Sequence, residues 1–145
     1  MKFSSLNEVL KTPLKRFELR DGNVLRGVRC DDEGFLGFGE VYFSWINTGS
    51  IKAWKKHSKM IVNLVVPVGS IKLVCAERPE GPFKEFFVNE NVNYVRITIP
   101  AGLWFGFKGL HSSSSLVVNT ASILHDPNEV ERGEICDFSY DWGNE

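Results

Sequence analysis

His57 is the side chain of this sequence best suited to move a proton near neutral pH, and it stands in a run of lysines: Lys52, Lys55, Lys56 and Lys59. On a strand, Lys55 and His57 share one face and can turn toward one pocket. Lys55 is a candidate base if burial strips water from its ammonium; the alternative is a solvated lysine, or one that pairs with phosphate. His57 reads equally well as a surface histidine. Arg78 offers a planar fork for a diphosphate, or is a solvated arginine in the turn before Pro79. Trp104 and Phe105 fill a barrel interior, where Trp104 would meet a bound substrate. Trp142, with Tyr140, closes over a flat ring of a ligand or docks the tail on its own or a neighbouring subunit. Serines 112–115 form a polar turn with no His and acid nearby to make a nucleophile.

The elements that must position these groups read as strands. Short apolar or alternating runs cover 24–30, 37–46, 61–68, 71–76, 86–88, 94–99 and 116–118, separated by Gly, Pro and Asn clusters at the spacing of a sandwich or barrel of about ten strands. The first ten residues look helical, with Pro13 ending whatever forms there. The runs at 65–68 and 71–74 flank Gly69-Ser70 and predict a hairpin, with Pro67 at a strand edge or bulge.

The chain has 145 residues, one domain's worth, 43% hydrophobic, with eleven Phe, four Trp and three Tyr, so it is a globular chain with a single core spanning 1–145. With 17 basic and 18 acidic residues there is no cationic excess to hold a phosphate backbone, and nucleic acid is not an expected partner. No run approaches the ~18 apolar residues of a membrane helix. Cys30, Cys75 and Cys136 fit no zinc spacing and read as unpaired thiols in the cytoplasm. Residues 126–145 carry seven acids and one Arg. That tail is solvated, except that Phe138, Tyr140 and Trp142 give it something to bury.

Gly49, five residues, Lys55-Lys56-His57 and then Gly69 resemble the first cupin motif, and Pro100-Ala101-Gly102-Leu103-Trp104-Phe105 resembles the second. Lys55 stands at the first metal-ligating His, Val62 near the Glu and Phe105 at the last His. His57 is left alone, so no metal is expected. From about Val41 to Trp142 the chain resembles the dTDP-4-dehydrorhamnose 3,5-epimerase (RmlC-like cupin) family. Residues 51–57 are similar to its Arg-Gly-Leu/Trp-His segment and residues 99–107 to its Ile-Pro-x-Gly-x-x-His-Gly-Phe. Leu116 to Asn119 with His125-Asp126-Pro127 and Glu129 is similar to its Tyr-x5-Tyr-x-Pro-x-x-Glu. The resemblance implies an all-β jelly roll, a homodimer paired through N-terminal strands, no cofactor, and a nucleotide-sugar ligand.

It also implies proton transfer next to a keto group, by a His backed by an Asp and an opposed Tyr acid. Here the base position holds Lys55 and the acid position Asn119, which has no proton to give. Phe105 replaces the second His, and His125 the second Tyr. The supporting acid falls on Glu77 by ungapped counting, or on Ala76 with a one-residue gap that matches Arg78. Two functions follow. One is an enzyme acting on a nucleotide-linked 4-keto-deoxyhexose for cell-surface polysaccharide, through Lys55 and His57, with Arg78, Asn119, His125, Trp104 and Trp142 as contacts. The other is a degenerate relative that binds a carbohydrate or nucleotide-sugar without turnover. With Asn119 at the acid position, transfer at one carbon is expected rather than inversion at two, with water or His125 as substitute donor.

Overall fold

The computed structural model describes residues 4–143, which hold twelve strands and no α-helix. In chain order these are β1 (Leu10–Pro13), β2 (Arg16–Phe17), β3 (Val24–Leu25), β4 (Glu40–Ile46), β5 (Ile51–His57), β6 (Val62–Val68), β7 (Ser70–Ala76), β8 (Phe83–Asn89), β9 (Val95–Ile99), β10 (Trp104–Gly109), β11 (Ser115–Ala121) and β12 (Val130–Arg132). Two five-stranded antiparallel sheets pack face to face, ordered β1-β9-β6-β11-β4 and β12-β5-β10-β7-β8, while β2 and β3 form a small ribbon. Alternation decides what lies between the sheets. Val62, Leu64 and Val66 of β6 meet Ile71, Leu73 and Cys75 of β7 and Phe105 and Phe107 of β10 in one buried core. This is the cupin jelly roll that the sequence implied.

The far face of the second sheet is covered as well. Trp54, Val74, Ala76 and Trp104 form a second buried cluster with Phe138 and Trp142 of the C-terminal tail. The Phe138 ring stacks on Trp54 with centroids 4.5 Å apart and planes 14° apart, and Trp142 lies 5.3 Å from Trp54. A tail rich in carboxylates is therefore held by its aromatics rather than solvated throughout.

Several local expectations are corrected. The helical opening is a single 3-10 turn, Leu6–Glu8, capped reciprocally by Ser5 and Glu8, and Leu10–Pro13 is an edge strand paired with β9. Pro13 does not end a helix; it sits on an edge strand, where a missing N–H costs little. The predicted hairpin at Gly69-Ser70 is a corner instead, since β6 pairs with β9 and β11 while β7 pairs with β10 and β8. Gly69 has φ +89° and a side-chain carbon there would sit 2.2 Å from Ser115 Oγ, so only glycine passes. Pro67 does fall in a bulge: Val68 faces Leu116 and Val65 faces Val118, leaving an extra residue on β6. β10 and β12, absent from the apolar runs, are both strands.

Candidate active site

β5 positions the site, and a bulge aims it. Phe105 pairs with Lys55 but Gly106 pairs with Ala53, so Trp54 is an extra residue on β5. Strict alternation would put Ala53 on the face of Lys55 and His57, and Lys52 on the face of Trp54; the extra residue lets Ala53 and Trp54 both serve the outer cluster while Lys52, Lys55 and His57 line the inner wall. Gly106 permits it, because a side-chain carbon there would lie 2.4 Å from the Ala53 Cβ.

Inside lies a cavity of about 910 Å³, walled by β4, β5, β10 and β11 and by the segments around His125 and Arg132. His57 and Glu129 are both buried, at 6% and 3% exposure. His57 Nδ1 is 2.5 Å from Glu129 Oε1, and the other carboxylate oxygen accepts from the backbone N–H groups of Lys59 and Met60 at 3.1 Å each. Burial pushes the Glu129 carboxyl up, but the hydrogen bond from His57, the two backbone donors and the histidine's charge outweigh it and hold the group below its usual value. An ionised Glu129 accepts from Nδ1–H, and in the neutral ring the lone pair is then on Nε2, where it can act as a base. The ring of His57 stacks on Phe105 at 6.1 Å.

Sequence reasoning placed no role on Glu129 and sought the supporting acid at Glu77 or Ala76. That is corrected. Glu77 accepts from the Leu6 backbone N–H at 3.0 Å, and Ala76 is buried in the outer cluster; neither lines the cavity. The turn Asp126-Pro127-Asn128 delivers Glu129 to the end of β5, where Ser58 N–H donates to the Glu129 carbonyl at 2.8 Å. The Asp-Pro-x-Glu spacing was the available signal.

Lys55, Asn119 and His125 also line this cavity, with Lys52, Arg132 and Tyr42. Desolvation, then the charges of Arg132 and Lys52, lower the pKa of the Lys55 ammonium. Lys52 reaches across to β4, donating to Trp45 carbonyl at 2.7 Å and Ser44 Oγ at 3.1 Å. Tyr42, which the sequence reading did not single out, faces Asn119 across the β4–β11 pairing. Arg78, Trp104 and Trp142 are not brought to this cavity. Trp104 and Trp142 belong to the cluster on the opposite face of the sheet, because residues 104 and 105 on one strand must point opposite ways. Arg78 is exposed and paired with Glu80 at 3.2 Å, beside a separate cavity of about 310 Å³. Among the described residues no group of three or more His, Cys, Asp or Glu is placed to hold a metal ion.

No family model matches the sequence. A search of curated proteins finds a probable low-salt glycan biosynthesis epimerase, Agl13 of Haloferax volcanii, 32% identical over 120 residues that span 79% of this chain and 77% of the relative. Among solved structures, a dTDP sugar isomerase from Desulfovibrio desulfuricans superposes with a TM-score of 0.87 and 31% identity over 93% of this chain and 90% of that one. The dTDP-6-deoxy-D-glucose-3,5-epimerase RmlC of Legionella pneumophila, at 16% identity and a TM-score of 0.80 over 97% and 81% of the chains, shares the fold. With a jelly roll whose inner wall carries His57 backed by Glu129, and with relatives that match along most of their length, the chain belongs to the RmlC-like cupin family of nucleotide-sugar epimerases and isomerases.

Proposed function

We propose that this protein removes a carbon-bound proton next to the keto group of a nucleotide-linked 4-keto-deoxyhexose, epimerising or isomerising the sugar for a cell-surface polysaccharide. The observation that carries the reading is the buried His57–Glu129 pair, of which His57 lines the large cavity. Nε2 of His57 takes the proton, and the Glu129 carboxylate holds the imidazolium that forms. Lys55, Lys52 and Arg132 bring three positive charges to the same wall. They suit a diphosphate and, at Lys55, the enolate oxygen that develops beside His57. Asn119 and His125 contact the sugar. Arg78, Trp104 and Trp142 take no part. No redox cofactor is required, since no electron leaves the substrate. The names of the 32% and 31% identical relatives, a glycan biosynthesis epimerase and a dTDP sugar isomerase, support sugar-nucleotide chemistry here.

The test is incubation with a dTDP-linked 4-keto-6-deoxyhexose in deuterated water. Label next to the keto carbon, abolished by His57→Ala, is the expected result. A concentration-dependent rise in melting temperature with no label in any sugar would leave a binding protein instead.

We further infer a cytoplasmic homodimer that folds as one domain over 1–145. Three cysteines free of disulfides suit a reducing compartment, and no helix among the described residues is long and apolar enough to cross a membrane. The first sheet supports the dimer. Its edge strand β4 turns Val41, Phe43 and Trp45 outward at 43%, 67% and 55% exposure, and β1 forms its other edge. Sedimentation showing only monomer at micromolar protein would remove the dimer.

A further inference from the structure

Two polar atoms on the cavity wall opposite His57 lack partners. Tyr42 on β4 and Asn119 on β11 are register partners, both line the cavity, and the Tyr42 hydroxyl and the Asn119 Oδ1 are each buried with no hydrogen bond among the described residues. Buried polar atoms are costly to keep unpaired in a folded protein, and two that line one cavity are placed to be paired by what enters it, water or a ligand. The other two tyrosines are engaged: Tyr94 donates to the Arg26 carbonyl, and Tyr140 to Glu85 at 2.6 Å. Tyr42 is thus the one phenol free to act in the cavity.

Its place in the sandwich sets what it can do. His57 belongs to one sheet and Tyr42 to the other. Packed sheets stand roughly 10 Å apart, which admits a sugar ring between them. A base and an acid on facing sheets therefore reach a ring carbon from opposite sides. We propose that Tyr42 is the acid that reprotonates the carbon opposite His57, which makes the reaction an inversion at one carbon rather than a one-faced isomerisation. This rests on the reading given under Proposed function and names its stereochemistry.

His57 Nε2 takes the proton as the C–H bond breaks, and its electron pair forms the enolate, with charge on the former keto oxygen. The enolate collapses to the ketone as the same carbon takes the Tyr42 proton from the other face. Solvent returns a proton to the phenolate and takes one from the imidazolium, so no atom or electron is left over. Asn119, beside the phenol, accepts a hydroxyl of the ring.

The test uses the full chain and a dTDP-linked 4-keto-6-deoxyhexose in deuterated water. For the wild type, single-turnover product carries solvent deuterium at the inverted carbon and none of the substrate's own hydrogen there. Tyr42→Phe, checked for folding by its thermal melt and its shift with dTDP, loses inversion by at least about 100-fold. It still exchanges deuterium at that carbon with retention, because His57 can take and return a proton on its own side. Inversion by Tyr42→Phe within a few-fold of wild type overturns the assignment and leaves the proton-transfer reading standing. Loss of exchange together with inversion in a folded variant also overturns it, because Tyr42 would then act in abstraction. Should the variant not fold, the wild-type turnover decides: the substrate's own hydrogen appearing in product means one group serves both steps. A wild type that incorporates no deuterium overturns the parent reading and this one with it.

Discussion

Two oxygens of Glu129 hold three donors, one imidazole and two backbone N–H groups, and this sets both a catalytic and a stability expectation. Glu129→Gln removes the anion that steadies the imidazolium, so proton exchange should fall by about 100-fold or more while a nucleotide-sugar still binds, measured as kcat against KM. Because the folded-state pKa of this carboxyl lies below its usual 4.5, its contribution to stability is full above that value and is lost as pH falls through the lowered one. Melting temperature followed from neutral to acid pH should therefore drop more steeply below about 4.5 for the wild type than for Glu129→Gln. A thiol offers a separate check. Burial pushes Cys75 up to about 12, whereas Cys30 and Cys136 are exposed. A thiol reagent at neutral pH should modify Cys30 and Cys136 quickly in native protein and reach Cys75 only on unfolding.

At the scale of elements, the bulge in β5 and the glycine opposite it are coupled. Gly106→Ala forces a side-chain carbon to within 2.4 Å of Ala53 Cβ, so β5 or β10 must shift. The expected cost is about 1–3 kcal/mol by chemical denaturation. Activity should fall further than stability explains, because the same shift turns Lys55 and His57 off the cavity; an unchanged KM and kcat at a temperature where the variant is folded would show that the bulge does not aim the site. Much of this architecture could be read from the residues. Strand runs were marked by apolar alternation and glycine punctuation, and Pro67 declared its own bulge by lacking an N–H. The β5 bulge could not be read, since an extra residue leaves no mark on a stretch of seven residues with three lysines. Nor could the Gly69 corner, because a positive-φ glycine between two apolar runs serves a hairpin and a change of sheet equally well.

For the whole molecule, the tail is a structural strap on the outer face of the catalytic sheet. Trp54→Ala, which empties the site under Phe138 and Trp142, should destabilise by about 3–5 kcal/mol. Trp142→Ala should lower the melting temperature yet leave KM for the nucleotide-sugar unchanged, since Trp142 lies across the sheet from the cavity; a raised KM at full folding would return it to the binding site. Ligand binding should follow the cations on the cavity wall. The melting-temperature shift given by dTDP should shrink in Lys55→Met and Arg132→Met, and in high salt, as screened attraction to a diphosphate requires.

The amino-acid sequence by itself determined the strand-rich class and the jelly-roll resemblance, and that resemblance aligns Lys55 and Asn119 with the family's base and acid. These are properties of local pattern and of aligned motifs, and they are written along one dimension. Which side chains meet was decided by tertiary structure alone. His57 and Glu129 lie 72 residues apart, and Tyr42 reaches the wall beside Asn119 only because β4 pairs with β11. Pairing of strands distant in sequence, and the half-turn that one extra residue imposes on everything after it, select which residues face the cavity. For the same reason Trp104 and Trp142, which composition and motif assigned to the ligand, pack instead behind the sheet that holds it.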